Sequence, residues 1–163
     1  MNSFDELKDV VSRLRAEDGC PWDREQTHAS LKAPVIEEAA EVICGINILG
    51  ETGRPENLKE ELGDLLLQVV MQAQIAEEEG LFTLDDVVTG IKNKMIRRHP
   101  HVFGDDHVSG SAEVLEKWED IKRMEKQGKD EPEEFLHRAF DEAEQLIDMA
   151  RKRKELCRNG KRC

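Results

Sequence analysis

The chain of 163 residues has no tyrosine, and its other aromatic residues are two tryptophans and five phenylalanines. No apolar run approaches the ~20 residues that a membrane-spanning helix needs, so we expect no membrane segment. The four cysteines have no CxxC spacing, and we expect no signal peptide because the start MNSFDELKDVV is amphipathic and charged. We therefore expect a reduced, cytoplasmic protein. Cys44 lies in an apolar helical stretch and is expected to be a small core residue.

The composition favours an all-helical protein with long solvated faces. Hydrophobic residues make up 38% of the chain and charged residues 37%. The formal net charge of −12 argues against general nucleic-acid binding, which requires a basic field. A phosphorylated small molecule bound through a metal and a local basic patch remains compatible with this charge.

Apolar periodicity, punctuated by glycine and proline, predicts a succession of helices. They are expected over about residues 3–16, with Ser3 as the N-cap, and over 25–31, 34–49, 57–79, 83–99, 111–127 and 133–156, with a loop over 101–110. The fold class predicted from this pattern is an all-α antiparallel helix bundle. Residues 1–127 form the predicted domain, and residues 128–163 form a helical C-terminal extension whose role stays open.

Two pairs of acids lie inside apolar helical runs, Glu38 with Glu41 and Glu61 with Asp64. The i,i+3 spacing puts each pair on one helix face, with Cβ atoms roughly 5–6 Å apart. Carboxylates that face a helical core are costly unless a positive charge pairs with them, and a divalent metal supplies that charge. Oxygen-only ligands suit Mg²⁺, with Mn²⁺ as a possible substitute. Gly63, inside the second pair, suggests close helix packing or room for a ligand.

A basic stretch follows this acidic part of the chain. Lys94, Arg97 and Arg98 share one helix face, and no acid occurs between residues 87 and 104. These cations either stabilise the C-terminal end of their helix or bind phosphate groups beside a metal. Trp118 and Lys122 form an i,i+4 pair, and a helical tryptophan is more often a core residue than a ligand-stacking one.

Two ExxH sequences offer an alternative, Glu25 with His28 and Glu134 with His137. A carboxylate-bridged di-iron bundle uses two such motifs together with glutamates from two other helices. Neither motif lies inside an apolar stripe here, and the glutamates already occur as ExxE and ExxD pairs. A di-iron protein is therefore the less favoured alternative, beside a non-catalytic helical scaffold that binds nucleotides or a protein.

Several segments, in this order, resemble the MazG family of all-α nucleoside triphosphate pyrophosphohydrolases. They are GCPWDREQTH (19–28), EEAAE (37–41), EELGDLLLQVV (60–70), QIAEEEGLF (74–82), KMIRRHPHVFGD (94–105) and EVLEKWEDIK (113–122). The resemblance covers roughly residues 3–125. The chain has one such domain, whereas the best-known bacterial members of the family carry two in tandem.

The resemblance implies hydrolysis of nucleoside triphosphates to the monophosphate and pyrophosphate with Mg²⁺. The implied metal ligands are Glu38, Glu41, Glu61 and Asp64, and Glu38 or Glu41 is also expected to orient the attacking water as a base. Lys94 and Arg98 would stabilise the leaving pyrophosphate, with Arg97 as a less certain neighbour. Trp118 and Lys122 are expected to contact the nucleotide. Members of the family are usually homodimers, and some form larger assemblies.

Overall fold

A computed structural model describes residues 2–126 and 133–158, with the backbone alone for residues 133, 134 and 156–158. Within these ranges the chain is helical and has no strand, which confirms the predicted all-α class. The helices, numbered in chain order, are α1 (Ser3–Arg15), α2 (Pro21–Arg24), α3 (Lys32–Thr52), α4 (Glu56–Glu78), α5 (Leu84–Arg98), α6 (Pro100–Phe103), α7 (Ser111–Lys126) and α8 (Glu133–Arg158). None of the helices in the described ranges is long and apolar enough to cross a membrane.

The chain divides into two compact units, and the second division falls inside α8. The first unit contains the residues up to Leu84 together with those from Arg138 onward, and the second unit is Asp85–His137. The predicted boundary between residues 127 and 128 concerns how far the family-like domain extends along the chain, and it stays a prediction.

The N-cap of α1 is Asn2, so the predicted cap at Ser3 is wrong by one residue. The side-chain oxygen of Asn2 accepts hydrogen bonds from the backbone N–H groups of Phe4, at 3.0 Å, and Asp5, at 3.1 Å. The Asp5 carboxylate accepts in turn from the Asn2 backbone N–H. Asparagine and serine are comparable caps, and this reciprocal bond, which the Asp5 carboxylate accepts, decides between them.

The helix predicted over residues 25–31 is also wrong, because the helix in this region is the earlier and shorter α2. Pro21 is the first residue of α2, a position that proline favours. Residues Thr27 and Ser30 form a turn in which the N–H of Thr27 donates to Ser30 Oγ at 2.9 Å and the N–H of Ser30 to Thr27 Oγ1 at 3.1 Å. Such side-chain hydroxyls compete with the helical backbone pattern for its N–H groups.

Helices α3 and α4 form an antiparallel hairpin that is closely packed at Gly45. α3 begins before the predicted Pro34 and continues to Thr52, where Gly53 follows with a left-handed φ of 71°. A Cβ atom at the buried Gly45 would lie 2.8 Å from Leu58 Cα. Only glycine permits this approach, and Gly45 therefore sets the register of α3 against α4. At Gly63 a Cβ would meet nothing within 4 Å, so close packing does not account for that glycine.

The core of the first unit lies where α1 and α4 meet the segment before α3. Its buried residues are Val11, Leu31, Val70, Met71, Ala73, Ile75 and Leu84. Beside it, the Arg15 side chain is 6% exposed. Its guanidinium donates to the carbonyl oxygens of Asp23, at 2.5 Å, and Gln26, at 3.1 Å, and to the Glu78 carboxylate at 2.7 Å. One arginine thus joins α1, α2 and the end of α4.

Another part of the hairpin surface is apolar and exposed. Cys44 is exposed, so its expected place in the core is wrong. Five large apolar residues are also exposed, and we call them the apolar face: Ile43 and Ile46 on α3, and Leu62, Leu66 and Val69 on α4. Periodicity identifies an apolar helix face but does not say which element covers it.

The second unit contains α5, α6 and α7. Residues 101–110 were predicted to be a loop, but the short α6 occupies the first part of this range, with Pro100 as its first residue. A run of four residues is too short to show helical periodicity, which explains the difference.

Replacing Gly45 or Gly63 by alanine tests the packing of the α3–α4 hairpin. We expect Gly45→Ala to destabilise the protein by about 1–3 kcal/mol, because the new methyl group would meet the Leu58 backbone. Gly63→Ala, in open space on α4, should instead stabilise it by up to about 1 kcal/mol through helix propensity. Chemical denaturation of the two variants measures both effects. Equal stability of Gly45→Ala and the wild type would contradict the assigned register.

Candidate active site

Three of the four predicted metal-binding acids lie together in the first unit. Glu38 of α3 and Glu61 and Asp64 of α4 each offer a carboxylate oxygen, and these three atoms all lie within 4.8 Å of one another. We call these residues the acidic cluster. The i,i+3 spacing puts Glu61 and Asp64 on one face of α4, and the hairpin register brings that face to Glu38.

The carboxylates of the cluster repel each other electrostatically. Partial burial raises the pKa of Glu38, and the nearby charges of Asp64 and Glu61 raise it further. Lys154 of α8 acts in the opposite direction. The cluster thus holds negative charge that water solvates incompletely, and a bound cation would relieve the repulsion.

Asn57 adds an amide to this group of acids. Its Nδ2 atom donates to Glu61 Oε1 at 2.8 Å, which holds one oxygen of that carboxylate in place. The Asn57 Oδ1 atom and, further along α4, the Gln68 Oε1 atom are buried without a hydrogen-bond partner in the structure. Asn57, Glu61, Asp64 and Gln68 follow at intervals of four, three and four residues, so they share one face of α4.

The fourth predicted ligand, Glu41, forms an ion pair with Lys154 of α8 and is not part of the acidic cluster. Glu41 lies three residues after Glu38 on α3, about 60° short of a full turn of the helix. Whether it binds a metal stays a prediction.

The donor set fits a hard divalent cation. All three gathered ligands are carboxylates, and the orphaned amide oxygens on the same face of α4 are also oxygen donors. Mg²⁺ and Mn²⁺ prefer such oxygen ligands, whereas zinc sites use mainly histidine and cysteine. His28 and His137 do not contribute to the cluster; within the described residues it is the one group of three or more potential ligands close enough to hold a metal. The His28 ring bonds instead to Gln72. Glu25, His28 and His137 belong to no metal-binding group of the described residues, and the Glu134 side chain lies outside them.

In the second unit, Glu125 of α7 binds two of the predicted phosphate-binding cations of α5. Its Oε1 atom accepts from Arg97 Nε at 2.6 Å, and its Oε2 atom accepts from Arg98 Nη2 at 2.6 Å. Arg98 also lies over the Trp118 ring, 5.4 Å from the ring centroid. The two guanidinium groups lower the pKa of Glu125 to about 2, Arg98 having the larger effect.

The other two predicted substrate contacts of this unit differ in their surroundings. The Lys122 Nζ atom pairs with Glu119 Oε1 at 3.0 Å on the same helix. Lys94 is exposed, and no ion pair joins it to any residue that the structure describes. Of the predicted phosphate-binding cations, Lys94 is thus the one whose charge the described residues do not neutralise.

Sequence reasoning missed Asn57, Glu125 and Lys154 as residues of these sites. Asn57 precedes Glu61 by one helical turn, which is a local signal for contact. No comparable signal exists for Glu125 or Lys154, because each meets its partner from a helix distant in the sequence. Only the fold brings these residues together.

The fold and the acidic cluster together define an all-α protein with a candidate divalent-metal site between two antiparallel helices. Residues 26–103 match the MazG nucleotide pyrophosphohydrolase domain, a range that includes the acidic cluster, Glu41, Lys94 and Arg98. Residues 26–103 therefore form a domain of the MazG family, as the sequence motifs predicted. Trp118, Lys122 and α8 lie outside the matched range.

Among curated proteins, the chain is similar to the nucleoside triphosphate pyrophosphohydrolase/pyrophosphatase MazG of Thermotoga maritima, with 50% identity over 76% of this chain and 45% of the relative. It is 46% identical to the nucleoside triphosphate pyrophosphohydrolase of Escherichia coli K12 over 77% of this chain and 47% of the relative. The uncharacterized protein YabN of Bacillus subtilis is 49% identical over 77% of this chain and 25% of its own length. The chain thus spans about half of the first two relatives and a quarter of the third.

The strain within the acidic cluster is testable by thermal unfolding without metal. Because the pKa of Glu38 is raised in the folded state, its ionisation opposes folding. This unfavourable effect is absent while Glu38 is protonated in both states, and it grows as the pH rises above about 4.5. We expect Glu38→Gln to raise the melting temperature at pH 7 in EDTA by about 1–2 °C, and to raise it less at pH 4.

Glu60→Gln is the matched control, since Glu60 is exposed on α4 and outside the cluster. Equal melting shifts for the Glu38 and Glu60 variants would contradict the repulsion.

Proposed function

We propose that this protein hydrolyses nucleoside triphosphates to nucleoside monophosphates and pyrophosphate with Mg²⁺ as its metal. The observation that carries the proposal is the acidic cluster, with oxygen atoms of Glu38, Glu61 and Asp64 within 4.8 Å of one another inside the segment that matches the MazG domain. Two relatives that carry the name nucleoside triphosphate pyrophosphohydrolase support the same reaction. The predicted domain, residues 1–127, would contain this site, with residues 128–163 as an extension.

In the proposed reaction, water attacks the α-phosphorus and the bond between that phosphorus and the α,β-bridging oxygen breaks. The metal, held by the acidic cluster and Glu41, would polarise the phosphoryl group and lower the pKa of the water. Glu38 or Glu41 accepts the proton that the water loses. Asn57 keeps Glu61 oriented through its hydrogen bond to Oε1. The electron pair of the broken bond leaves with pyrophosphate.

A turnover experiment tests this activity. Purified protein is assayed for pyrophosphate release with a panel of ribo- and deoxyribonucleoside triphosphates, with Mg²⁺, with Mn²⁺ and with EDTA. We expect metal-dependent release, and a loss of at least about 100-fold in kcat/KM for Glu61→Gln and Asp64→Asn, because each variant removes a charged ligand.

Glu60→Gln should keep wild-type turnover. A non-catalytic scaffold would release no pyrophosphate from any nucleotide, and a di-iron protein would bind iron without this activity. Wild-type turnover in the Glu61 and Asp64 variants would reject the metal assignment.

Lys94 and Arg98 are the proposed cations for the leaving pyrophosphate, with Arg97 as a neighbour. We expect Lys94→Ala to lower kcat/KM by about 10- to 150-fold and to leave the melting temperature unchanged, because Lys94 is exposed. Arg98→Ala should also lower the melting temperature, since Arg98 binds Glu125 and lies on Trp118. Lys92→Ala is the control on α5. If Lys94→Ala and Arg98→Ala both kept the wild-type kcat/KM, the proposed binding of pyrophosphate by these cations would be rejected.

Contacts of Trp118 and Lys122 with the nucleotide stay predictions, since the described partners of these side chains are protein groups. A nucleotide substrate favours the cytoplasm, where nucleoside triphosphates are abundant, and the net charge of −12 argues against a nucleic-acid partner.

We further propose that the protein is a homodimer or a larger homo-oligomer. Its exposed apolar face on α3 and α4 supports this, because large exposed apolar patches mark interaction sites and most such assemblies join identical chains. Sedimentation should give at least twice the 18.6 kDa of the chain, and Leu66→Glu, in the apolar face, should lower it. A wild-type species of 18.6 kDa at micromolar concentration would reject the assembly.

A further inference from the structure

Helix α8 brings cations to the acidic face of α3. Lys154 pairs with Glu41, and the adjacent Arg153 pairs with Glu37. At the start of α3, Lys32 Nζ lies 2.9 Å from Oε1 of Glu142 on α8. These pairs all lie in the first unit, so α8 borders the helix that supplies Glu38 to the acidic cluster.

Lys154 stands next to the acidic cluster. Its partner Glu41 is one turn from Glu38, and its charge is close enough to influence Glu38. A groove of about 500 Å³ runs between α3 and α8, with Glu41 and Lys154 among the residues that line it. Apolar side chains line much of the rest, among them Ile36 and Ile147. A ligand in this groove would meet an ammonium group, a carboxylate and an apolar wall.

The pair between Lys154 and Glu41 is suited to exchange. The Lys154 side chain is 56% exposed, and ion pairs with this exposure contribute little to stability. A metal that takes Glu41 as a ligand would displace the ammonium group, which would then stand beside the metal without an acidic partner. Phosphate oxygens of a metal-bound nucleotide are the charge-complementary partner for that ammonium.

We propose that Lys154 binds the phosphate chain of the substrate, exchanging Glu41 for a phosphate oxygen when the metal and the nucleotide enter the site. The proposal rests on the proposed function and extends it to a helix outside the matched domain. It also gives a role to the C-terminal extension, whose Arg153 and Lys154 lie in the same unit as the acidic cluster. No covalent bond is made or broken in this exchange, in which the Lys154 ammonium group replaces one anionic partner by another.

Binding without turnover tests the proposal. The probe is the α,β-methylene analogue of the nucleoside triphosphate that the wild-type protein hydrolyses fastest, measured by calorimetry at saturating Mg²⁺. We expect Lys154→Met to weaken its binding by about 5- to 50-fold, and Lys154→Arg to retain most of the affinity. The corresponding monophosphate lacks the β- and γ-phosphates, so Lys154→Met should weaken its binding less than that of the analogue. Lys152→Met is the matched control, since Lys152 is exposed on α8 and has no ion pair among the described residues.

Measuring at saturating Mg²⁺ distinguishes phosphate binding by Lys154 from competition between Lys154 and the metal for Glu41. If Lys154 only competed with the metal for Glu41, the Lys154→Met variant would bind the analogue as tightly as the wild type or more tightly, and the proposal would be overturned. An equal loss for analogue and monophosphate would overturn it too, since that result indicates a general disturbance of the site. Thermal melts should stay near wild type, because the ion pair is exposed.

The two proposals fail in distinguishable ways. A wild-type protein that hydrolyses triphosphates and binds the analogue, with an unchanged Lys154→Met variant, would remove the role of Lys154 alone. A wild-type protein that neither hydrolyses any triphosphate nor binds an α,β-methylene analogue of any member of the panel would remove the proposed function, and the role of Lys154 with it.

Discussion

The close approach of α3 and α4 at Gly45 is the constraint on which the candidate site depends. Because a glycine faces the Leu58 backbone, the two helices pack in one register, and that register brings Glu38 to Glu61 and Asp64. A larger side chain at Gly45 would push the helices apart and separate their carboxylates. The site therefore depends on a packing contact in which none of its own side chains takes part.

Several charged groups of each unit have partners of opposite charge or complementary polarity. In the first unit, Asn57 holds Glu61, and Lys154 neutralises Glu41. In the second unit, one carboxylate, Glu125, binds both Arg97 and Arg98 and is 16% exposed. Charges this close to an apolar interior need partners, and such partners determine which groups remain available for a ligand. Among the predicted site residues, the described contacts thus leave Lys94 and the acidic cluster the most available for a ligand.

The accuracy of the sequence predictions depended on how far apart the interacting residues lie. The long helices and the ExxE and ExxD pairs were predictable, because periodicity and i,i+3 spacing are local properties. The cap at Ser3 and the helix over 25–31 were wrong because weak local hydrogen bonds, accepted by the side chains of Asp5 and Ser30, decided between similar alternatives. Cys44 was expected in the core because an apolar helix face does not reveal what covers it.

The sequence by itself determined the all-α class, the two acidic motifs and the presence of a MazG-family domain, since these depend on residue types at fixed local spacings. Only the tertiary structure decided that Glu38 joins Glu61 and Asp64 while Glu41 turns to Lys154. It likewise decided that Arg98 meets Glu125 and Trp118. The physical reason is that these contacts join side chains from helices distant in the sequence, and their geometry follows from helix packing, which local spacing does not encode.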